Sequence, residues 1–292
     1  MPESTVKKSD LVASLRALGV VPGQTLMAHS SLSAFGSFDG GAEGVIDALL
    51  EAVGPQGHVV MPSLTATFKG GGKDIMGFAF NPKVTPSRVG KITDLFWRRP
   101  NAARSAHPTH SIACIGPKAA EWMAGHDKTS TFGWDGPYAK YVKSDGAPCT
   151  IVFLGVFPNC NTTLHAIEDW LDLPYMGDET AIVEVNGQPK EVKVTKSPMG
   201  CRGFYRKEDR HHKLMEQRGI QKSVPCGPTV IRALPARACV AETIRQELET
   251  PGALLCLRTD CKFCTEGRSQ IVTIVTEVRA RANEIKARGL SD

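Results

Sequence analysis

Short apolar runs without polar alternation constrain the fold of this chain more than any other sequence feature. They span residues 25–29, 58–61, 111–115 and 150–155. A strand that is exposed on one face alternates apolar and polar side chains, whereas a strand covered on both faces is apolar throughout. The runs therefore predict buried strands of the kind found in a parallel sheet.

Amphipathic segments that favour helices alternate with these runs. They span residues 9–18, 42–53 and 87–98. Ser9 or Asp10 is the predicted N-cap of the first helix, and Ser87 is the predicted N-cap of the third, whose apolar stripe would be Val89, Ile92, Leu95 and Phe96. Strand and helix alternate through the first 170 residues, which predicts a layered α/β/α domain around a largely parallel central sheet.

A different pattern follows from about residue 180. Two alternating segments, 180–185 and 191–194, flank Asn186-Gly187, which is a strong signal for a two-residue hairpin turn. The remainder is predicted to be mostly helical, over 207–218, 235–248 and 271–288. Because the sequence shows no internal repeat and no low-complexity linker, we predict one domain over 1–292 with a hairpin insertion at about 180–195.

Composition excludes several classes of function. The chain has 292 residues and a formal charge of +5, and its Lys and Arg residues are spread rather than concentrated in a stripe. A nucleic-acid-binding protein would concentrate them beside aromatic residues, while a mild positive balance suits an anionic small ligand. No apolar run approaches the roughly 20 residues that cross a bilayer, and the N-terminus lacks a signal-like apolar stretch. We therefore expect a soluble cytoplasmic protein with no nucleic-acid or membrane partner.

The nine cysteines are an odd number, and six are scattered singly, which is typical of free thiols. The other three are Cys256, Cys261 and Cys264. A Cys-x-x-Cys pair with a third cysteine nearby resembles part of a structural zinc site, but no fourth ligand is evident in the sequence. Free thiols or a redox-labile pair are favoured over zinc, so no metal is expected. The adjacent pair His211-His212 would point apart on a helix and is not expected to bind one.

A first polar segment, His29-Ser30-Ser31-Leu32, ends a predicted strand and is followed by Gly40-Gly41 before a helix. In open α/β sheets, ligands gather beyond the carboxyl ends of strands, where helix N-termini offer free N–H groups to phosphates. The alternative, a strand end with satisfied turn residues, is the better interpretation of this segment taken alone.

A second polar segment, 104–111, precedes a predicted strand and contains Arg104, Ser105, His107, Thr109, His110 and Ser111. A guanidinium and hydroxyl groups suit anionic groups such as phosphates. The alternative is a polar loop in which the His107-Pro108 step only sets an extended backbone. A ligand-binding role is slightly favoured.

A third segment, 161–168, places a helix cap at Asn161 or Thr162 and an imidazole in the first turn of that helix, at His165. Glu168 is three residues further on and therefore lies on the same helical face. An imidazole oriented by a carboxylate can accept a proton from an attacking amine. A surface His–Glu pair without catalytic function is the commoner explanation of this spacing.

Together these segments resemble the aminoglycoside 3-N-acetyltransferase family. The resemblance runs from about residue 11 to 248 and includes Pro22-Gly23, His29-Ser30-Ser31-Leu32, Gly40-Gly41, Met61-Pro62-Ser63, residues 104–111, Phe132-Gly133, Leu154-Gly155-Val156 and residues 161–168. It implies an α/β fold distinct from the commoner N-acetyltransferase superfamily. It also implies acetyl-CoA as acetyl donor, a small-molecule amine as acceptor, and no metal.

The resemblance also implies roles for individual residues. The coenzyme would be lined by His29, Ser30, Ser31, Leu32, Arg104, Ser105, His107, Thr109 and Ser111. His165 would be the general base, and Glu168 would orient it or bind the cationic substrate. Apart from the resemblance, backbone N–H groups or the Thr163 hydroxyl could stabilise the oxyanion. The local acidic stretch could bind the amines of the substrate, and it contains Glu168, Asp169, Asp172, Asp178 and Glu179.

Some features depart from the family pattern or leave alternatives open. Gly136 replaces the serine that usually precedes the proline at Pro137, and the cysteines between 256 and 264 are not a general family feature. A different amine metabolite could be the acceptor, or the acetyl group could pass through Cys160 in a ping-pong reaction. A zinc-stabilised CoA-binding module without catalysis is the alternative from another class, and a homodimer is possible.

Overall fold

A seven-stranded sheet lies at the centre of the computed structural model, which describes residues 5–65, 79–207 and 209–292. The strand order is β3-β4-β2-β1-β5-β9-β8. The strands are β1 (Thr25–Ser30), β2 (His58–Pro62), β3 (Ala103–Arg104), β4 (Ile112–Ile115), β5 (Cys149–Leu154), β8 (Lys222–Cys226) and β9 (Thr229–Pro235), while β6 (Met176–Val185) and β7 (Gln188–Pro198) form a separate hairpin.

The parallel part of the sheet consists of its three central strands. β1 pairs in parallel with β2 on one side and with β5 on the other. β4 joins β2, and β9 joins β5, in antiparallel register. The expected α/β class is confirmed, and the sheet is mixed because β3-β4 and β8-β9 are each antiparallel pairs added at its two edges.

Helices cover both faces of the sheet. One face packs against α1 (Lys8–Ala17), α2 (Gly41–Val53) and α3 (Lys91–Trp97). The other packs against α4 (Ala119–Met123), α5 (Pro137–Lys143), α6 (Thr163–Trp170), α7 (Arg210–Gln217), α8 (Ala236–Glu249), α9 (Lys262–Thr273) and α10 (Val275–Ala287). Short 3₁₀ turns span Ser33–Phe35, His126–Lys128, Ser144–Gly146, Pro158–Cys160 and Gly203–Tyr205.

Burial of the central strands explains their continuous hydrophobicity. Met27 points into the core on the α5 side, whereas Leu26 and Ala28 point into the core on the α2 side, and all three are fully buried. Since both faces of the strand are covered, polar alternation would bury unpaired polar groups. This confirms the interpretation of the apolar runs.

Two predicted helix starts are wrong. α3 begins at Lys91 after Gly90 rather than at Ser87, and Val89 is exposed instead of belonging to the apolar stripe. Asp94 explains the shift, because its carboxylate accepts the Ser87 N–H at 2.8 Å and so holds the chain before the helix in a turn. α1 begins at Lys8, and Asp10 lies inside it, where its carboxylate accepts the Lys7 N–H at 2.9 Å.

The expectation of a mostly helical C-terminal part was incomplete. Residues 222–235 form the antiparallel pair β8-β9 at the edge of the main sheet. Pro225 lies within β8, which is tolerated because an edge strand leaves one row of backbone groups unpaired. The helix predicted over 271–288 is instead divided at Ile274, whose φ and ψ of −120° and 23° are not helical, into α9 and α10.

The hairpin predicted at Asn186-Gly187 is confirmed. Both residues have positive φ, 52° and 75°, as a two-residue turn between β6 and β7 requires. The hairpin is longer than expected, since β6 begins at Met176 and β7 ends at Pro198. In the part of the chain that the structure describes, no helix has the length and apolarity needed to span a membrane.

Candidate active site

A cavity of about 490 Å³ opens beyond the carboxyl ends of β1 and β2. Ser30 and Pro62, the last residues of these strands, form part of its wall. The start of α6 and the end of β7 close the other side. Its further lining residues are His29, Leu64, Val89, Thr93, His110, Val156, Asn159, Cys160, Asn161, Thr162, His165, Pro198 and Tyr205.

His165 lies in the first turn of α6 and faces this cavity. Asn161 fixes the start of the helix, because its side-chain oxygen accepts the Thr163 N–H at 3.1 Å. The imidazole packs among aromatic rings, with centroid distances of 5.2 Å to Phe204 and 6.1 Å to Phe132. Only 8% of His165 is exposed, so one edge of the ring meets the cavity while the rest is held in place.

Glu168 is completely buried behind the imidazole. Its carboxylate lies 2.7 Å from Nδ1 of His165 and 2.5 Å from Nε of Arg202, which is also fully buried. Burial alone would raise the pKa of Glu168, but the positive charge of Arg202 and the hydrogen bond with His165 hold it below its usual value. Glu168 is therefore an anion whose oxygens are both engaged inside the protein.

These contacts fix the orientation of the imidazole. An ionised carboxylate only accepts hydrogen bonds, so Nδ1 of His165 donates to Glu168, and Nε2 is the nitrogen directed at the cavity. The hydroxyl of Tyr205 lies 3.0 Å from Nε2. Burial raises the pKa of Tyr205 to about 12, so the phenol keeps its proton at neutral pH and can donate it to Nε2. In the tautomer with its proton on Nδ1, the nitrogen that faces the cavity can accept a proton from a ligand.

Arg202 and Tyr205 were missed by the sequence analysis. They follow β7 and are 34 and 40 residues away from the groups that they contact on α6. The guanidinium of Arg202 also stacks on Tyr175 at 4.4 Å and donates to the Met199 carbonyl at 2.5 Å. Their only sequence signal is a short polar and aromatic stretch, Arg202-Gly203-Phe204-Tyr205, within a part that favours helix.

His29 and Ser30, at the end of β1, contribute polar atoms to the cavity wall. The ring of His29 stacks on Phe153 at 5.4 Å, and burial lowers its pKa to about 3, which keeps it neutral. Nε2 of His29 and Oγ of Ser30 are buried and form no hydrogen bond with any described residue. Buried polar atoms without a protein partner are available to a ligand.

Ser31 and Leu32, which were expected beside them, are not part of the cavity wall. The Ser31 hydroxyl bonds instead to Ser33 at 3.1 Å, and Leu32 is the N-cap of the following 3₁₀ turn. Gly40 and Gly41 begin α2 and do not line the cavity either.

Arg104, which the family resemblance assigns to the coenzyme site, is not among the residues that line the cavity. Its guanidinium donates to the backbone oxygens of Thr85 at 2.5 Å and Ser63 at 3.2 Å, and it lies over Trp97 at 4.2 Å. Burial lowers its pKa to about 10, which still leaves it charged at neutral pH. Arg104 connects the segment between β2 and α3 to β3, because its guanidinium N–H groups donate to buried carbonyls of that segment.

The other polar residues of segment 104–111 also form hydrogen bonds within the protein. Oγ of Ser105 accepts the Ile112 N–H at 3.0 Å, and Oγ of Ser111 donates to the Ser105 carbonyl at 2.8 Å. Nδ1 of His107 accepts the His110 N–H at 3.0 Å, while Thr109 bonds to the His110 ring at 2.9 Å. His110 is the member of this segment that lines the cavity. The polar-loop alternative therefore describes most of the segment.

A comparison with protein families identifies the chain. The family model described as aminoglycoside 3-N-acetyltransferase matches residues 27–246, which is more than half of the 292 residues. This chain belongs to the aminoglycoside 3-N-acetyltransferase family. The family resemblance of the three polar segments and the acyltransferase class are thereby confirmed.

Individual members of the aminoglycoside 3-N-acetyltransferase family agree in sequence and in fold. Aminoglycoside N(3)-acetyltransferase IV from Salmonella sp is 32% identical over 242 residues, covering 82% of this chain and 87% of that protein. The crystal structure of the aminoglycoside acetyltransferase AAC(3)-IVa apoenzyme has a TM-score of 0.76 at 28% identity, covering 92% of this chain and 98% of the other. A histidine-to-alanine mutant of AAC(3)-IVa in complex with a gentamicin has the same TM-score.

Thr163 is poorly placed to act as the oxyanion donor suggested from the sequence. Its hydroxyl is fully buried, bonds to the Tyr141 hydroxyl at 2.8 Å, and does not line the cavity. The side chain points into the core because α6 turns this face toward α5. Thr162, one residue earlier, is the threonine in the cavity wall.

The acidic residues expected to bind substrate amines do not face the cavity. Glu168 is buried behind His165, and Asp169, which is half-buried, accepts the Ser130 hydroxyl at 2.8 Å. Burial raises the pKa of Asp169 to about 6. Asp172 and Asp178 are exposed and form ion pairs with lysines of β7. These lysines neutralise the charges of Asp172 and Asp178, and the spacing in the sequence does not reveal this pairing.

The structure brings a fourth cysteine to the three near the C-terminus. Cys201 follows β7, and its sulfur lies within 4.8 Å of those of Cys256, Cys261 and Cys264, with all pairs inside this distance. The sequence does not reveal Cys201 as a fourth member of this group, because it lies 55 positions before the nearest of the other three cysteines. His211 and His212 contact different partners, Gln246 and the Phe204 carbonyl, as their opposite directions on α7 require.

Proposed function

We propose that this chain transfers the acetyl group of acetyl-CoA to the 3-amino group of an aminoglycoside, with His165 as the general base. One observation carries the proposal. In a member of this family, the imidazole of His165 faces a cavity of about 490 Å³ with Nε2, while a buried carboxylate holds Nδ1. This is the arrangement that proton removal from an attacking amine requires.

The transfer needs one proton to leave the nucleophile. The neutral amine attacks the thioester carbonyl and forms a C–N bond, and Nε2 of His165 accepts the proton that the nitrogen loses. The carbon–sulfur bond then breaks, and the CoA thiolate takes the proton back from the His165 imidazolium and leaves as the thiol. The Tyr205 hydroxyl, 3.0 Å from Nε2, marks where the amine nitrogen would lie, so the substrate replaces this contact.

Glu168 acts through His165 in this proposal. Its negative charge stabilises the imidazolium that forms during the transfer, and its hydrogen bond to Nδ1 keeps the lone pair on Nε2. Arg202 keeps the carboxylate ionised although it is buried. Glu168 and Arg202 are therefore positioning residues that do not touch the substrate.

For the acyl donor, we propose a place beside the end of β1. Oγ of Ser30 and Nε2 of His29 form no hydrogen bond with described residues and lie in the cavity wall. They can bond to the carbonyl oxygen or the amide groups of the pantetheine arm. Because burial keeps His29 neutral, it binds polar groups rather than the phosphate charges.

A direct transfer is favoured over a route through Cys160. The Cys160 thiol lies in the cavity wall, but it donates to the Phe157 carbonyl at 3.2 Å. Desolvation of the sulfur raises its pKa to about 12, so the reactive thiolate is scarce at neutral pH. Cys160→Ala should therefore retain turnover, whereas loss of turnover together with an acetylated wild-type cysteine would favour the covalent route.

The proposal is tested by acetyl-CoA consumption with a panel of aminoglycosides, followed by NMR of the product to identify the acetylated nitrogen. His165→Ala should lower kcat by about 10²–10⁴-fold while the protein stays folded. A near-normal rate for this variant would exclude His165 as the base. If no aminoglycoside is turned over but acetyl-CoA still binds and is cleaved with another amine, a different amine metabolite is favoured as the acceptor; binding without any thioester cleavage would favour the non-catalytic module.

A further inference from the structure

We propose that four cysteines of this chain bind a structural zinc ion as thiolates. The family to which the chain belongs does not imply a metal, so the proposal rests on these side chains alone. This cysteine cluster consists of Cys201, Cys256, Cys261 and Cys264.

The distances between the sulfurs fit a tetrahedral ion. Every pair of sulfurs in the cluster lies within 4.8 Å. Zn–S bonds of about 2.3 Å in a tetrahedron place the sulfurs about 3.8 Å apart, so small side-chain movements bring all four to bonding distance. A single disulfide would draw two sulfurs to about 2.05 Å and leave the others out, whereas all four are free thiols that converge on one point.

The chain supplies these ligands in a way that suits zinc. Cys261 is the N-cap of α9 and Cys264 lies in its first turn, which gives the Cys-x-x-Cys spacing of structural zinc sites. The Cys256 N–H points at Sγ of Cys264 at 3.3 Å, as a backbone donor to a metal-bound sulfur does. Four thiolates complete the coordination of zinc and leave no open position for water. The ion is therefore structural and not catalytic.

The position of the cluster indicates what the ion stabilises. It joins the end of the β6-β7 hairpin, through Cys201, to the start of α9. Arg202 is the next residue after Cys201, and its guanidinium lies 5.4 Å from the ring of Phe263, inside the Cys-x-x-Cys motif. Because Arg202 also bonds to Glu168, the zinc ion would fix the buried group that orients His165.

Metal analysis of the purified protein tests the zinc site independently of the acetyltransferase proposal. Protein prepared without chelators should contain zinc in a one-to-one ratio by elemental analysis, and cobalt(II) in its place should give the absorption bands of a tetrahedral thiolate site. Cys261→Ser should lose the zinc, whereas Cys160→Ser, which removes a thiol outside the cluster, should keep it.

If Cys261→Ser does not fold, the zinc site can still be tested on the wild-type protein. A mercurial that titrates thiols should release zinc into a colorimetric indicator, and the intact mass of denatured, unreduced protein should show free thiols. Protein without zinc that takes up neither zinc nor cobalt(II) would overturn the proposal, as would a mass showing disulfides between these cysteines. Zinc binding with no acetyl transfer would leave this site intact and contradict only the proposed function.

Discussion

The carboxylate of Glu168 lies 2.7 Å from Nδ1 of His165, and the two residues share one face of α6, three positions apart. Glu168 is completely buried, while one edge of His165 meets the cavity. The pair therefore has an inner, charged end and an outer, basic end. Arg202 balances the inner charge, which allows an ionised carboxylate to remain in the interior.

Replacing Glu168 with Gln should lower kcat by about 10²–10⁴-fold with a smaller effect on KM for the aminoglycoside. The amide can donate to Nδ1 and so shift the imidazole proton to Nε2, where it blocks acceptance of a proton from the amine. Steady-state kinetics measure the effect, and circular dichroism shows whether the variant is folded.

Glu168→Asp is the matched control for this effect. It keeps the charge and should recover part of the lost rate. A Gln variant with kcat within about twofold of wild type would show that the orientation of His165 does not depend on this carboxylate.

Thr163→Val should weaken folding without affecting catalysis. The Thr163 hydroxyl bonds to Tyr141 inside the core, so its loss should reduce the free energy of unfolding by about 1–2 kcal/mol and leave kcat unchanged. Ser30→Ala is the comparison, since its hydroxyl lies in the cavity wall, and kcat/KM should fall by about tenfold. Urea unfolding and kinetics on both variants separate the two effects, and the opposite pattern would assign the oxyanion to Thr163.

Asp172→Asn and Asp178→Asn should leave KM for the aminoglycoside within about twofold of wild type. Both carboxylates are exposed and paired with lysines on β7, so they are not free to bind a cationic substrate. Asn is the suitable replacement because Asp172 has a φ of 57°, which Asn tolerates. A tenfold rise in KM for either variant would restore the substrate-binding role expected from the sequence.

The stability of the protein relative to a Glu247→Gln variant should fall as pH rises. Glu247 accepts backbone N–H groups from Gly252 at 2.5 Å and Leu254 at 3.3 Å, and burial raises its pKa to about 7 from 4.5. The folded state thus binds the proton more tightly than the unfolded state. The stabilisation of the folded state by protonated Glu247 is present below the pKa of this residue in the unfolded chain. It is lost as pH rises through the pKa of Glu247 in the folded chain.

Urea unfolding of both proteins between about pH 4 and pH 9 measures this dependence. The shift predicts that the difference in unfolding free energy, wild type minus variant, decreases by about 3 kcal/mol over the range. Gln does not titrate, so effects of other groups cancel in the difference. A difference that stays constant with pH would mean that Glu247 has the same pKa in the folded and unfolded chains.

Local patterns in the sequence were enough for much of the fold. The strands β1, β2, β4 and β5 follow from continuous apolar runs, and the turn at Asn186-Gly187 follows from residues that tolerate positive φ. Each of these signals depends on a few neighbouring residues. The edge pair β8-β9 was not predicted, because Pro225 is unfavourable in a strand. These strands form because β9 pairs with β5 and β8 with β9, which are contacts between distant parts of the chain.

Segment 104–111 shows that residue types in a sequence do not reveal which groups the side chains contact. Its composition is as suitable for phosphates as for backbone carbonyls, and the sequence cannot distinguish the two partners. In the structure, Arg104 packs against Trp97 and donates to the backbone oxygens of Ser63 and Thr85. His110, from the same segment, lies in the cavity wall.

The sequence by itself determined the α/β class, the family resemblance and the His165–Glu168 pair, since a spacing of three on a helix brings two side chains together wherever the helix lies. The tertiary structure alone decided what surrounds that pair. Arg202 and Tyr205 are 34 and 40 residues distant from their partners, and Cys201 is also remote in sequence from the other cysteines that it joins. Such contacts arise only when the segment that follows the hairpin meets α6 and the start of α9, because no local periodicity encodes which distant segments meet.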